Sequence, residues 1–146
     1  MLRATFYVLG LGSDSAERER GTMAIERFED IEAWQVARTL ARSIYEMTGQ
    51  GKFKRDFGLR DQIQRAAIST TANVSEGFDS QSNRAFIQFL GYALRSATEV
   101  QSHLYVALDQ EYISRDAFDD LYERAARVKS IIHGFIRYLR NAKRST

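Results

Sequence analysis

The stretch LRDQIQRAAISTTANVSEG, residues 59–77, decides how the rest of this chain is read. At helical pitch it carries two stripes. Leu59, Ile63, Ala66, Thr70 and Val74 recur at spacings of three or four and make a small, largely apolar face. Gln62, Arg65, Ser69, Asn73 and Glu76 recur in the same way and make a polar face beside it. Solvent-facing helix surfaces are usually filled with Lys and Glu. This row holds amides, hydroxyls and one each of Arg and Glu, short groups suited to partners at fixed distances. The row is therefore expected to be buried, against other helices or another subunit, as assembly contacts. Gly77 stands where a left-handed C-cap would end the helix.

Working outward, three further amphipathic segments follow the same period. A first helix opens at Asp30 as N-cap with Glu32 in its first turn. Ile31, Trp34, Ala37, Ala41, Ile44 and Tyr45 form its inward stripe, which ends before Gly49, and Trp34 reads as a core anchor. GQGKFKRDFG, with three glycines and three cations, is a basic loop. After Gly77, Ser80 or Ser82 caps a third helix reaching Asp109, with Phe86, Phe89, Leu90, Ala93, Leu94, Ala97, Val100, Leu104 and Leu108 in step. The fourth begins at Ser114, where Ile113 and Phe118 are placed for a hydrophobic staple. Its stripe is Phe118, Leu121, Tyr122, Ala125, Val128, Ile132, Phe135, Ile136 and Leu139. The expected fold is all-α: an up-down-up-down four-helix bundle over residues 23–146.

Composition agrees. A chain of 146 residues with no proline suits one domain of long, unbroken helices. The absence of cysteine excludes disulfides, thiolate zinc sites and cysteine nucleophiles, and fits a reducing cytoplasm. Residues 1–22 stand apart: an apolar run, ATFYVLGLG, precedes a charged stretch. Nine residues are too few to span a bilayer, which takes about 20. Arg3 before that run hints at a signal peptide, but its glycines weaken the apolar region. Residues 1–22 are read as an extension outside the fold, with the domain beginning at Met23.

Three blocks in order, FEDIEAWQVARTLARSIY, FGLRDQIQRAAISTTANVSEGF and FIQFLGYALRSATEV, carry a resemblance. They are similar to the four-helix bundle proteins of intervening sequences in bacterial 23S rRNA genes, and to the related accessory variability determinant of diversity-generating retroelements. Gln62, Arg65, Ala66, Ser69, Asn73, Glu76 and Gly77, joined by Ser96, Ala97 and Glu99, are the most specific part. One departure is Thr71, where family members commonly have proline. The resemblance implies a homopentameric barrel of bundles. For the retroelement relatives it also implies binding of nucleic acid and of a reverse transcriptase.

Enzyme chemistry finds little purchase. His103 and His133 lie on different helices, and Glu99 and His103 are four apart where a di-iron bundle wants Glu-x-x-His on two helices. GQGK lacks the strand and spacing of a phosphate loop. Glu76 and Glu99 are the one candidate carboxylate pair. A structural role for them, pairing with Arg65 while Asn73 bonds across helices, is the stronger reading. No catalytic residue, metal or cofactor is expected.

Charge supports a sharper hypothesis. The net charge is +2, but residues 127–144 hold six cations and no carboxylate. Lys129, Arg137, Arg140 and Arg144, with His133, share one face of the fourth helix, and Lys143 adds to it. Lys52, Lys54, Arg55, Arg60 and Arg65 form a second basic region. These are the candidate phosphate contacts of an RNA- or DNA-binding surface that oligomerisation would repeat. With no aromatic platform evident in the sequence, phosphate contacts should dominate over base contacts. The competing readings are macrodipole-favoured cations at a helix end, neutralised by Asp116, Asp119, Asp120 and Glu123 or by Glu26, Glu29, Asp30 and Glu32. In that case the oligomer is a scaffold for a protein client, without a nucleic-acid role.

Overall fold

In the computed structural model, which describes residues 6–8 and 23–142, the four expected helices are present. They are α1 (Glu32–Thr48), α2 (Phe57–Asp79), α3 (Asn83–Asp109) and α4 (Arg115–Asn141). Each packs against the two beside it, α1 on α2, α2 on α3, α3 on α4 and α4 back on α1, which is a four-helix bundle. Most of each stripe read from the sequence becomes its core; Tyr45 of the α1 stripe is instead exposed, because it sits at the edge of that stripe, and Trp34 is half-buried at the core margin. Ile63, Ala66, Thr70 and Val74 of α2 and every member of the α4 stripe but the half-buried Tyr122 are buried. No helix among the described residues is long and apolar enough to cross a membrane.

The corners explain the connectivity. Ser82 Oγ accepts from Ala85 N at 3.1 Å, and Ser114 Oγ from Ala117 N at 3.1 Å, so both serine caps fall where the sequence puts them. At the α3 terminus Glu111 adopts a left-handed φ of 59°, while Tyr112 N donates to Ala107 O and Glu111 N to Leu108 O. This is a Schellman closure built on a residue other than glycine. It aims Tyr112 at the α1–α2 corner, where its hydroxyl donates to Asp56 Oδ2 at 3.0 Å and its ring meets Phe53 at 5.3 Å. At the opposite end Asn83 Nδ2 donates to the Leu139 and Ala142 carbonyls.

Three local expectations give way. Asp30 does not cap α1; it belongs to a 3₁₀ turn (Phe28–Asp30), where its Oδ2 accepts from Glu26 N and Arg27 N, and Ile31 holds the N-cap position. Gly77 does not terminate α2, which continues to Asp79 and also runs unbroken through Thr71. It is glycine for packing: a Cβ there would meet Phe86 Cδ2 at 2.5 Å and Phe89 Cβ at 3.0 Å. The polar row of α2, finally, is not buried within the protomer. Beyond the bundle, Phe6–Val8 (β1) pairs antiparallel with Met23–Ile25 (β2), Phe6 opposite Ile25, and Ile25 enters the core. The proposed boundary at Met23 therefore falls within a two-stranded ribbon; residues 1–5 and 9–22 lie outside the described residues.

Two outcomes test this packing. Gly77→Ala gains about 1 kcal/mol of helix propensity but overpacks the Phe86 contact, a cost of about 1–3 kcal/mol. Denaturant unfolding should therefore show net destabilisation. A neutral or stabilised variant would contradict the close approach. Separately, the hydrogen bond to Asp56, helped by burial and by the Asp56 charge, raises the Tyr112 phenol above its ordinary value of 10.0. Because the folded value lies above the unfolded one, the stabilisation is present below the ordinary value and lost as pH rises through the folded one. Tyr112→Phe should melt at a lower temperature than wild type at neutral pH, with the gap closing above about pH 10. A pH-independent gap would remove the bond's role.

Candidate nucleic-acid interface

Helical pitch and two cross-helix bonds fix which flank of each helix faces outward. Ser96 Oγ donates to Ser69 Oγ at 2.9 Å, which sets α2 and α3 antiparallel with these serines side by side. The polar row of α2 then lies along the outer α2/α3 seam, about 100° round the helix from the core stripe. Gln62, Arg65 and Glu76 are exposed, and Ser69 and Asn73 are half-buried. Asn73 Nδ2 donates within its own helix, to Ser69 O at 2.8 Å and Ser69 Oγ at 3.0 Å, not across helices. Arg65 pairs with Asp61 of the preceding turn at 3.0 Å rather than with Glu76 or Glu99. The reason is local: an i,i+4 partner lies within reach of an exposed Arg without holding two helices in register. The surface that results also exposes Tyr92 and Val106 of α3.

Glu99 is exposed on this same face. From the Ser69–Ser96 register, Glu76 and Glu99 lie on opposite sides of that bond, about 15 Å apart along the bundle. They do not form a carboxylate pair.

The other flank of α3 faces α4 and differs in character. Lys129 Nζ donates to Gln101 Oε1 at 3.1 Å, and Gln101 Nε2 donates to the Tyr122 carbonyl at 3.4 Å. Gln101 is 7% exposed, so a largely buried amide ties Lys129 to the seam. An open groove of about 530 Å³ follows, lined by Gln101, Tyr122, Ala126, Lys129, Ser130, His133 and Arg137. Along α4, Tyr122, Lys129, His133 and Arg137 are spaced by seven, four and four residues, and Arg140 continues the line. His133, Arg137 and Arg140 are exposed, and Lys129 is half-buried. Among the described residues none of these cations has a carboxylate partner within 4.0 Å. The flank of α3 beside them, Gly91, Leu94, Thr98, Gln101 and Tyr105, is uncharged. Lys143 and Arg144 lie outside the described residues.

Of the eight acids expected to neutralise the basic regions, five are engaged elsewhere: Glu29 pairs with Arg27, and Asp30, Glu32, Asp119 and Asp120 have the partners that follow. Asp119 pairs with Arg115 at 3.2 Å and Asp120 with Arg124 at 3.0 Å, both within α4. Glu32 approaches Arg127 at 4.0 Å, and Arg127 points to the α1 side of α4, away from the groove. Asp30 is occupied in its 3₁₀ turn.

The second basic region does not join the first. Lys52, Lys54 and Arg55 are exposed at the Tyr112 end of the bundle. Arg137 and Arg140 sit at the other end of a helix of 27 residues, about 40 Å long. Arg60 is half-buried, donating to Lys54 O at 2.9 Å with its guanidinium 4.9 Å from the Phe57 ring centre. Neither Gln101 nor Tyr105 stood out in the sequence as a site residue. The available signal was Gln101 at a position in step with the apolar stripe of α3, a polar residue where the period calls for an apolar one.

Fold and surface define a four-helix bundle protein with one mixed-charge face and one basic groove. The sequence profile of the 23S rRNA-intervening sequence protein family matches residues 29–134, and the chain belongs to that family. A crystal structure at 1.70 Å of a protein of unknown function from the S23 ribosomal protein family, from Bacteroides thetaiotaomicron VPI-5482, superposes with a TM-score of 0.66. It is 24% identical, and the match covers 72% of this chain and 98% of that one, a likeness of fold alone. Among curated proteins none matches this chain.

Proposed function

We propose that this is a non-enzymatic helical-bundle protein that assembles with copies of itself and binds nucleic acid, RNA or DNA, mainly through phosphate contacts. The observation that carries the reading is the α4 groove line: Lys129, His133, Arg137 and Arg140 run along the groove beside an uncharged flank of α3, and among the described residues none of them has a carboxylate partner. Cations kept only for solubility or for the macrodipole have no need of an uncharged neighbour, whereas a polyanion site gains from one. Unneutralised charge along a helix releases counterions when a phosphate chain replaces them. Self-assembly rests on the adjoining α2/α3 face, where Tyr92 and Val106 are exposed among Gln62, Arg65, Glu76 and Glu99. The family resemblance favours five copies. The same face supports the second reading, in which a protein client such as a reverse transcriptase docks there and the groove has no nucleic-acid role. Against catalysis stands the separation of Glu76 from Glu99.

Affinity for an RNA or DNA oligomer should fall steeply with salt. Lys129→Gln, Arg137→Gln and Arg140→Gln should weaken it cumulatively, each reducing the slope of log affinity against log salt by about one. Arg127→Gln, on the other flank, should change little. Absence of binding at about 50 mM salt, or equal loss from Arg127→Gln, would defeat the reading.

A further inference from the structure

The head of the α4 groove holds a feature that phosphate binding does not use. Tyr105 of α3 is 50% exposed. Its ring rests on Phe118, centroids 4.8 Å apart, and Phe118 is 3% exposed. Tyr122, the first residue of the groove lining, meets Tyr105 at 5.8 Å and Phe118 at 5.5 Å. A half-exposed ring held by two others is a fixed aromatic surface at the mouth of a basic groove. Gln101 joins the two parts, because its amide bonds both the Tyr122 carbonyl and Lys129 Nζ. From Lys129 the polar groups His133 and Arg137 follow at four-residue intervals, a rise of about 6 Å per step.

We propose that this groove takes single-stranded nucleic acid, with an unpaired base stacked on Tyr105 and the adjoining backbone laid along Lys129, His133 and Arg137. The inference rests on the phosphate-binding reading and adds the strandedness of the ligand. Stacking on a protein ring requires a base free of its own pair, and every base has a face to offer, so the site discriminates strands and not sequence. Phosphate contact alone favours the opposite order, since a duplex carries more charge per unit length.

The test compares an oligouridylate of about a dozen nucleotides with its oligoadenylate duplex, by anisotropy at fixed salt, on the full chain. Wild type should bind the single strand more tightly. Tyr105→Leu should lower single-strand affinity about fivefold or more and leave duplex affinity unchanged. Tyr105→Phe, which keeps the ring, should behave as wild type, and circular dichroism at the assay temperature should show the same helix content in all three proteins. The proposal is overturned if the duplex binds as well as the single strand, if Tyr105→Leu has no effect, or if Tyr105→Phe loses as much as Tyr105→Leu. Uridine monophosphate competing as strongly as the oligomer would also overturn it, pointing to a small-molecule site. If stacking fails while Lys129→Gln and Arg137→Gln still weaken both forms, only strandedness is lost. If neither form binds, the phosphate reading falls as well.

Discussion

At Gly77 a Cβ would lie 2.5 Å from Phe86 Cδ2, so α2 and α3 meet with a phenyl ring against bare backbone. Two turns earlier in α2, Ser69 Oγ accepts a hydrogen bond of 2.9 Å from Ser96 Oγ, a contact between two short side chains. These short contacts hold the pair close and fix its register. Phe86 in turn meets Phe135 of α4 edge to face at 5.2 Å, so the same ring sets where α4 lies. Once α2, α3 and α4 are placed, the outward flanks are determined. One carries mixed charge and half-exposed apolar groups; the other carries cations beside neutral residues.

The core was legible in the sequence because its signal is periodic and redundant. Six residues of the α3 stripe, Phe86, Leu90, Ala93, Ala97, Val100 and Leu104, are buried at the same repeating spacing, and no single residue decides the outcome. Serine caps at Ser82 and Ser114 were legible too, since each is a local contact between residues three apart. What the sequence left open depends on neighbours remote along the chain. Gly77 has the same one-letter signature whether it ends a helix or admits a ring from another, and only the position of Phe86 separates the two. The polar row of α2 was recognised as unusual, but a stripe about 100° from the core is either buried or open according to how near the next helix sits.

The charges show the same division. The α4 cations follow from their spacing, while their freedom from carboxylates among the described residues required knowing that Asp30 and Glu32 are drawn elsewhere. The distance between the two basic regions also required the fold. Neighbouring lysines and arginines at residues 52–60 lie at the opposite end of the bundle from Arg137 and Arg140, so a protomer offers two separate basic areas. The α4 area has a groove with an aromatic head. Tyr105 escaped notice because it falls at the rim of the α3 stripe, where an aromatic serves as core edge as readily as ligand surface.

The central claim is that the outward α4 flank, from Tyr122 to Arg140, is where a phosphate chain lies. The most direct measurement is a backbone-amide NMR titration with a short RNA oligomer. The account predicts that shifts at low RNA concentration follow α4 from Tyr122 to Arg140 and the Gln101–Tyr105 turn of α3, sparing Lys52 to Arg55. Shifts confined to the Gln62–Glu76 face, or none at saturating RNA, would contradict it.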